Sequence, residues 1–324
     1  MPEFEVRPFH RRDRDQLAGL VNAHAAAVVP GMGTSVAALL ASLERQPGEA
    51  ITDPWVSERV TLVAEQQGRI AAAAHLMRYF DDQRAGHAYR GLGEISWLVF
   101  WPAAPAGNPW WSEATGAADG LIAACLRQMQ RWGVTRQEAD GALPVFGVYG
   151  VPEQWPHIRA LYQRAGFHHT GHTEVVYLAR VADLARPAVA RAAAPLTGLA
   201  AARSVGVNGT RLSALLGDEV IGYIEVGTRE EGERLSRHGG WADVGNLTVT
   251  ERCRRRGVAT WLLGQAADWL ALAHVDLLLD YAYLDGADAT GRDYAGYRAF
   301  LSASGFRELT RTARGWTRTP GSPA

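Results

Sequence analysis

One order of apolar runs and turns occurs twice in this chain, and that repetition limits the fold more than any single motif. The first half carries Val60-Thr61-Leu62-Val63-Ala64, a turn at Gln67-Gly68, and a second run from Arg69 to Met77. The second half carries a run from Arg211 to Leu216, a turn at Gly217-Asp218, and a run from Val220 to Val226. Both patterns predict β-hairpins. Strands containing Glu94 to Phe100 and Asp243 to Val249 follow. Each half then offers an amphipathic helix. Leu121, Ile122, Cys125, Leu126 and Met129 share one face of the first, and Leu262, Leu263, Ala266 and Leu270 share one face of the second. A strand is expected next at 144–151 and at 275–283. Each half closes with a helix running into Ala165-Gly166-Phe167 or Ser304-Gly305-Phe306, where glycine suits the left-handed position after a helix, and then a last strand.

Glu94 and Asp243 lie 149 residues apart, whereas Gly166 and Gly305 lie 139 apart, so the first half holds about ten extra residues, placed at 101–115. Ahead of its hairpin the first half also has two helical segments, near 14–28 and 35–45, for which the second half has no room. A length of 324 residues suits about two domains, and 47% hydrophobic with 21% charged residues suits globular cores. The stretch 181–195 is poor in large apolar residues and holds Pro187 and Pro195. The expected division is therefore an N-terminal domain at 1–180, a linker at 181–195 and a C-terminal domain at 196–324, with a frayed tail at 319–324. The fold class expected is α/β (α+β), each half a mixed β-sheet flanked by helices.

Charge and composition exclude several function classes. The net charge of −1 offers no basic field for nucleic acid or an anionic membrane. No apolar run approaches the ~18 residues of a membrane span, and Met1 to Arg7 has no signal-peptide core, so a cytoplasmic protein is expected. Two cysteines are too few for a disulfide scaffold. All 33 basic residues are arginine, which removes Schiff-base lysine chemistry and a phosphate-loop lysine.

The segment that carries chemistry is Glu251-Arg252-Cys253-Arg254-Arg255-Arg256-Gly257-Val258-Ala259, between a strand and a helix. A glycine turn at a helix start presents unpaired N–H groups and the positive end of the helix dipole. Four arginines crowd the same turn. Together these suit a pyrophosphate, and Gly257 lets the backbone approach it. A solvated basic loop capping a helix is the plainer alternative.

Arg254-x-x-Gly257-x-Ala259 at a strand–helix junction, with Gly305-Phe306 downstream, resembles the GNAT superfamily of acetyl-CoA-dependent N-acetyltransferases, whose signature there is Gln/Arg-x-x-Gly-x-Gly/Ala. The resemblance covers nearly the whole chain as two tandem copies, an organisation similar to that of mycothiol synthases. It implies two tandem GNAT-type domains, in each of which two parallel strands splay apart to admit a pantetheine arm. Backbone of Leu247, Thr248 and Val249 would pair with that arm. The N–H groups of Arg255, Arg256, Gly257, Val258, Ala259 and Thr260, with Arg254, would hold the pyrophosphate.

The family also places an acid eleven positions before its signature, which here is Asp243, as the base that deprotonates the attacking amine. It often supplies a tyrosine four residues before the Gly-Phe pair, to protonate the leaving thiolate. That position is Tyr162 in the first half but Leu301 in the second, so Tyr297, one helical turn earlier, is the substitute expected. The first half keeps Glu94 and Tyr162, yet its loop from Trp101 to Trp111 carries three prolines and no arginine. It reads as a degenerate copy that does not bind coenzyme in the usual way.

His168, His169 and His172 have a metal-like spacing, but neighbours on a strand face opposite ways and no metal is expected. Cys253, though beside arginines, has no partner for thiol catalysis and reads as a loop spacer. The function expected is transfer of an acetyl group from acetyl-CoA to an amine in a ternary complex, the acceptor being a small molecule or a peptide N-terminus. The acceptor cleft is expected between the halves. A non-catalytic acyl-CoA-binding or regulatory protein is the alternative.

Overall fold

The computed structural model describes residues 4–47, 52–102, 114–145, 147–184, 194–228, 240–284, 286 and 293–319. The chain forms two compact units, one of residues 1–173 with 311–324, the other of residues 174–310.

Unit 1 opens with β1 (Phe4–Pro8), α1 (Arg14–Val28) and α2 (Val36–Leu43), then the hairpin β2 (Val56–Gln66) and β3 (Arg69–Tyr79). Ser35 caps α2, its Oγ accepting the Ala38 N–H at 3.0 Å, so the helix starts one residue later than the pattern predicts. Next come β4 (Leu92–Phe100), α3 (Ala114–Trp132), β5 (Arg136–Ala139), β6 (Val151–Pro152), α4 (Pro156–Arg164) and β7 (His168–His169). Leu121, Ile122, Cys125 and Met129 of α3 are buried, as its apolar face requires, while Leu126 is only partly so. The strand expected at 144–151 is not there. The partner of β4 is β5, a short polar strand, and only Val151 of the expected run is in strand conformation, as the start of β6. The segment between β5 and β6 folds back so tightly that a Cβ on Gly141 would strike the Gly150 carbonyl. An extended chain cannot make that approach.

Unit 2 contains β8 (Thr173–Arg180), β9 (Leu199–Gly206), β10 (Gly209–Leu216), β11 (Glu219–Thr228), β12 (Gly240–Val249), α5 (Val258–Leu272), β13 (Val275–Tyr283), α6 (Tyr294–Ala303) and β14 (Arg307–Ala313). Its strands run in the order β14-β8-β13-β12-β11-β10-β9. Leu262, Leu263, Ala266 and Leu270 of α5 are buried against them, and each such leucine stabilises the unit by about 1.5–3 kcal/mol. Where the first repeat places α1 and α2 between β1 and β2, the second has only the turn Val207-Asn208 between β9 and β10.

The compact units do not coincide with the sequence halves 1–180 and 196–324. β8, the last strand of the first repeat, pairs with β13 from Glu174↔Tyr283 to Arg180↔Leu277. The end of the second repeat, β15 (Trp316–Arg318), pairs with both β5 and β7, completing the unit 1 order β1-β2-β3-β4-β5-β15-β7. Each sheet thus gains a strand from the other repeat, which satisfies edge groups that would stand open. Of the expected linker, Val181–Asp183 forms a short 3-10 turn, and 185–193 lie outside the described residues, as do 320–324 of the expected tail. No helix among the described residues is long and apolar enough to cross a membrane.

Candidate active site

β12 and β13 run parallel, but their registered pairing ends at Asp243↔Leu279, although β12 continues to Val249 and β13 to Tyr283. On its other side β12 keeps pairing with β11 as far as Gly222↔Val249. One irregularity interrupts that ladder. Asn246 faces Glu225 and Val244 faces Val226, leaving Gly245 as an extra residue, a β-bulge that bends β12 next to the point of separation. Asp243 therefore marks the fork between two diverging strands.

Beyond Val249 the chain makes a tight turn. Thr250 N–H bonds the Ile221 carbonyl at 2.8 Å, and Cys253 N–H and Arg254 N–H bond Thr250 and Glu251 carbonyls at 2.9 and 3.1 Å. Cys253 is buried in the core of unit 2. Arg255 and Gly257 then take positive φ, 57° and 82°, turning the backbone into α5. The ladder of α5 begins when Trp261 N–H bonds the Gly257 carbonyl at 2.9 Å. Among the described residues, the N–H groups of Arg255, Arg256, Gly257, Val258, Ala259 and Thr260 find no acceptor, as expected at a helix N-terminus. Arg252 pairs with Glu219, and Arg254 Nε reaches the Val249 carbonyl at 3.4 Å. The guanidinium groups of Arg254, Arg255 and Arg256 are exposed and make no ion pair among the described residues. In charge and geometry the turn is suited to an anion.

Asp243 is half-buried, and Tyr281 Oη donates to its Oδ2 at 3.4 Å. Burial pushes its carboxyl up to about 6, against the opposing pull of the Tyr281 hydroxyl. Tyr297, on α6, donates from Oη to Oδ2 of Asp280 at 2.7 Å, and Asp280 Oδ1 accepts the Tyr281 N–H at 2.7 Å. Consecutive strand residues point to opposite faces, so Asp280 and Tyr281 hold Tyr297 and Asp243 on opposite sides of β13. The expected base and acid are thus each tied to β13, but not to one another. Leu301 is fully buried in the core, which explains a hydrocarbon side chain there. Asp280 escaped the motif-based reading. Its signal was a lone charge in the run Leu277-Leu278-Leu279-Asp280-Tyr281-Ala282-Tyr283, where a buried carboxylate requires partners.

Residues 191–282, which span this fork and turn, match the acetyltransferase (GNAT) family. A tandem GNAT protein from the clavulanic acid biosynthesis pathway, in a form without acetyl-CoA, superposes with a TM-score of 0.70 at 15% identity, covering 99% of this chain and all of that one. A GCN5-related N-acetyltransferase from Sphaerobacter thermophilus superposes at 0.61 and 13% identity, covering 99% of this chain and 98% of that one. This chain has the tandem GNAT fold. None of the curated proteins matches it in sequence.

The first GNAT copy, in unit 1, repeats the framework. Trp97 faces His75 and Ile95 faces Leu76, so Ser96 is an extra residue like Gly245, and β4 and β5 part after Ile95↔Ala139. Glu94 accepts the Tyr79 hydroxyl at 2.9 Å. Burial raises its carboxyl to about 7, with the negative charge of Asp140 adding to the effect and Arg314 opposing it. Tyr162 is fully buried and donates to the Asp140 carbonyl at 2.8 Å. Of the proline-bearing loop, Trp101 anchors on the Ile70 carbonyl through Nε1 at 3.2 Å, and 103–111 lie outside the described residues. His169 Nε2 bonds the His172 carbonyl at 2.9 Å, and its ring lies 5.3 Å from that of Trp316. Among the described residues no three His, Cys, Asp or Glu side chains are grouped to hold a metal.

Proposed function

We propose that unit 2 binds acetyl-CoA and transfers its acetyl group to the amine of an acceptor, a small molecule or a peptide N-terminus. The observation that carries this reading is a raised-pKa carboxylate at the fork of two parallel strands, with an unengaged row of N–H groups one turn downstream. The pyrophosphate of the cosubstrate accepts from the N–H groups of residues 255–260 and from the arginines, and the pantetheine lies along Leu247, Thr248 and Val249.

The amine nitrogen attacks the thioester carbonyl carbon, and its proton passes to Asp243 directly or through one water. A β12 amide beyond the bulge steadies the oxyanion. The carbon–sulfur bond then breaks and the thiolate takes a proton. Tyr297 is the acid candidate, on the far face of β13 from Asp243; its O–H has to turn from Asp280 toward the sulfur to act. Holding both reactants in one geometry supplies much of the rate.

Burial of Leu301 in the tyrosine position favours a second reading, in which the chain binds acyl-CoA without transferring the acyl group. Steady-state release of free thiol from acetyl-CoA over a broad amine panel separates the two. Transfer predicts release that depends on the amine and is lost in Asp243→Asn. Tight coenzyme binding with no amine-dependent release rejects transfer and leaves the binding protein.

A further inference from the structure

Two histidines of unit 1 meet although 133 residues separate them, and neither belongs to a spaced motif. His24 lies on α1 and His157 in the first turn of α4, and their Nε2 atoms stand 3.2 Å apart. Both rings are held by their neighbours. His24 Nδ1 faces the Leu20 carbonyl at 2.9 Å, and Trp155 Nε1 donates to the His24 carbonyl at 3.2 Å. The Trp155 ring packs edge to face with His24, centroids 5.4 Å apart, and the Phe100 ring does so with His157 at 4.9 Å.

A carbonyl oxygen only accepts, so the link to Leu20 fixes the proton of neutral His24 on Nδ1. Its Nε2 then carries a lone pair aimed at His157. Burial lowers the pKa of His24 and, with His24 beside it, pushes His157 down to about 4, so both rings are neutral at pH 7. The Phe100 carbonyl also acts on the His24 ring and favours positive charge there. A neutral imidazole oriented by a carbonyl at its far nitrogen has the form of a metal-ligating histidine. Zinc–nitrogen bonds of about 2.0–2.1 Å at a tetrahedral angle put two ligating nitrogens about 3.3 Å apart. His24 is buried but His157 only half-buried, so one side of the pair meets solvent.

We propose that His24 Nε2 and His157 Nε2 bind one zinc ion, with water in its remaining positions, and that the ion braces α1 against α4. Two protein ligands leave the site open, unlike the four of a closed structural zinc. Without the ion, His157 Nε2–H donates to His24 Nε2. Zinc takes the place of that proton, which moves through solvent to His157 Nδ1, so the ion meets two neutral rings. The brace falls beside Phe100, and an offset of 149 pairs Phe100 with Val249, where the second repeat is proposed to hold its pantetheine arm. The inference does not rest on the transferase reading, because it concerns the first repeat alone.

The test titrates the full chain, without an affinity tag, with zinc chloride at pH 7 by calorimetry. Wild type is expected to bind an ion that His157→Gln weakens by at least about tenfold. Glutamine at 157 still offers an N–H to His24 Nε2, so the variant keeps a hydrogen-bonded pair and loses a ligand. Zinc should raise the Tm of wild type and not that of the variant. Nitrogen-15 NMR of the histidine rings decides without any variant: Nε2 of His24 and of His157 should shift together with zinc, while His24 Nδ1 keeps its proton. Replacing the exposed His168 and His172 by alanine should leave the binding unchanged. No zinc binding by wild type, or equal binding by wild type and His157→Gln, overturns the site and leaves a hydrogen-bonded histidine pair. Zinc-dependent shifts confined to other histidines, or binding lost with His168 and His172, overturn it as well.

Discussion

The two repeats carry the same backbone irregularities at matching places and fill them with different chemistry. Ser96 and Gly245 are the bulges, and the parallel strands fork just beyond Glu94 and Asp243. One ladder step away each sheet carries a polar cross-strand pair with one member buried, His75 with Thr61 in unit 1 and Glu225 with Arg211 in unit 2. Opposite the acid, however, unit 1 has Met77 where unit 2 has Gly227. A thioether side chain stands where the second repeat has none, and there Asp243 Oδ1 packs 2.8 Å from the point a Cβ would occupy. The fork and the bulge are therefore properties of the sheet, retained whatever the site does. The residue opposite the carboxylate, Met77 in one repeat and Gly227 in the other, is where the linings differ.

The strongest way to break this contrast is at the glycine turn proposed to hold the coenzyme. Gly257→Val forces a β-branched residue into positive φ and brings its Cβ to 3.1 Å from Pro195. Acetyl-CoA affinity measured by calorimetry is expected to fall by about 10²-fold or more, from a wild-type stoichiometry of one per chain. Two equivalent sites, or an unchanged affinity in the variant, remove the distinction between the repeats.

Asp243→Asn keeps size and hydrogen bonding but deletes the basic oxygen. A fall in kcat of about 10²-fold is expected, with coenzyme affinity nearly unchanged. Wild-type turnover should rise with pH through about 6, as the carboxylate forms. Full activity in the variant transfers the proton step to water or another carboxylate.

Glu94 sharpens the contrast from the other side. Its folded pKa of about 7 exceeds the unfolded value, so the folded state binds the proton more tightly and stability falls as pH rises between roughly 4.5 and 7. Glu94→Gln, which can still accept the Tyr79 hydroxyl, should therefore stabilise the protein at pH 8 by about 1–3 kcal/mol and hardly at all at pH 4. Denaturant unfolding at both pH values checks this, and equal effects at the two reject a buried, proton-hungry Glu94. Acetyl transfer should be little affected if the first copy is catalytically silent.

The smallest effect is expected from Tyr297→Phe. A loss of about three- to tenfold in kcat is expected, since a thiolate departs without much help. Removing the Asp280 donor should also cost about 1–3 kcal/mol of stability. A stability loss with unchanged kcat would make Tyr297 a brace between α6 and β13 only.

Much of the framework was legible because the repeat could be checked against itself. α1, the face of α5 and β13 fall where their periodicities put them. β5 was missed because Arg136-Gln137-Glu138 lacks the apolar alternation of a strand, although an offset of 139 from Val275 points to 136. The fork residue, the glycine turn and the arginines were visible as a spacing. Asp280 and Gly227 were not, because neither belongs to a linear motif: Asp280 is engaged by Tyr297 on α6, and Gly227 faces Asp243 across the ladder. The exchanged strands were equally hidden: alternation marks a strand and its inward face, but not the strand it joins.

That exchange sets a schedule for synthesis. Gln137 in β5 waits for Arg318, which donates to it at 2.9 Å from 181 residues downstream. At roughly 5–20 residues per second, the ribosome needs about 10–40 s to deliver that strand after β5 has emerged. Through that interval the first sheet has an open flank between β5 and β7, a template for any other extended chain nearby. The sheet that holds β1 to β5 is begun first and closed only when the last strand of the second repeat arrives.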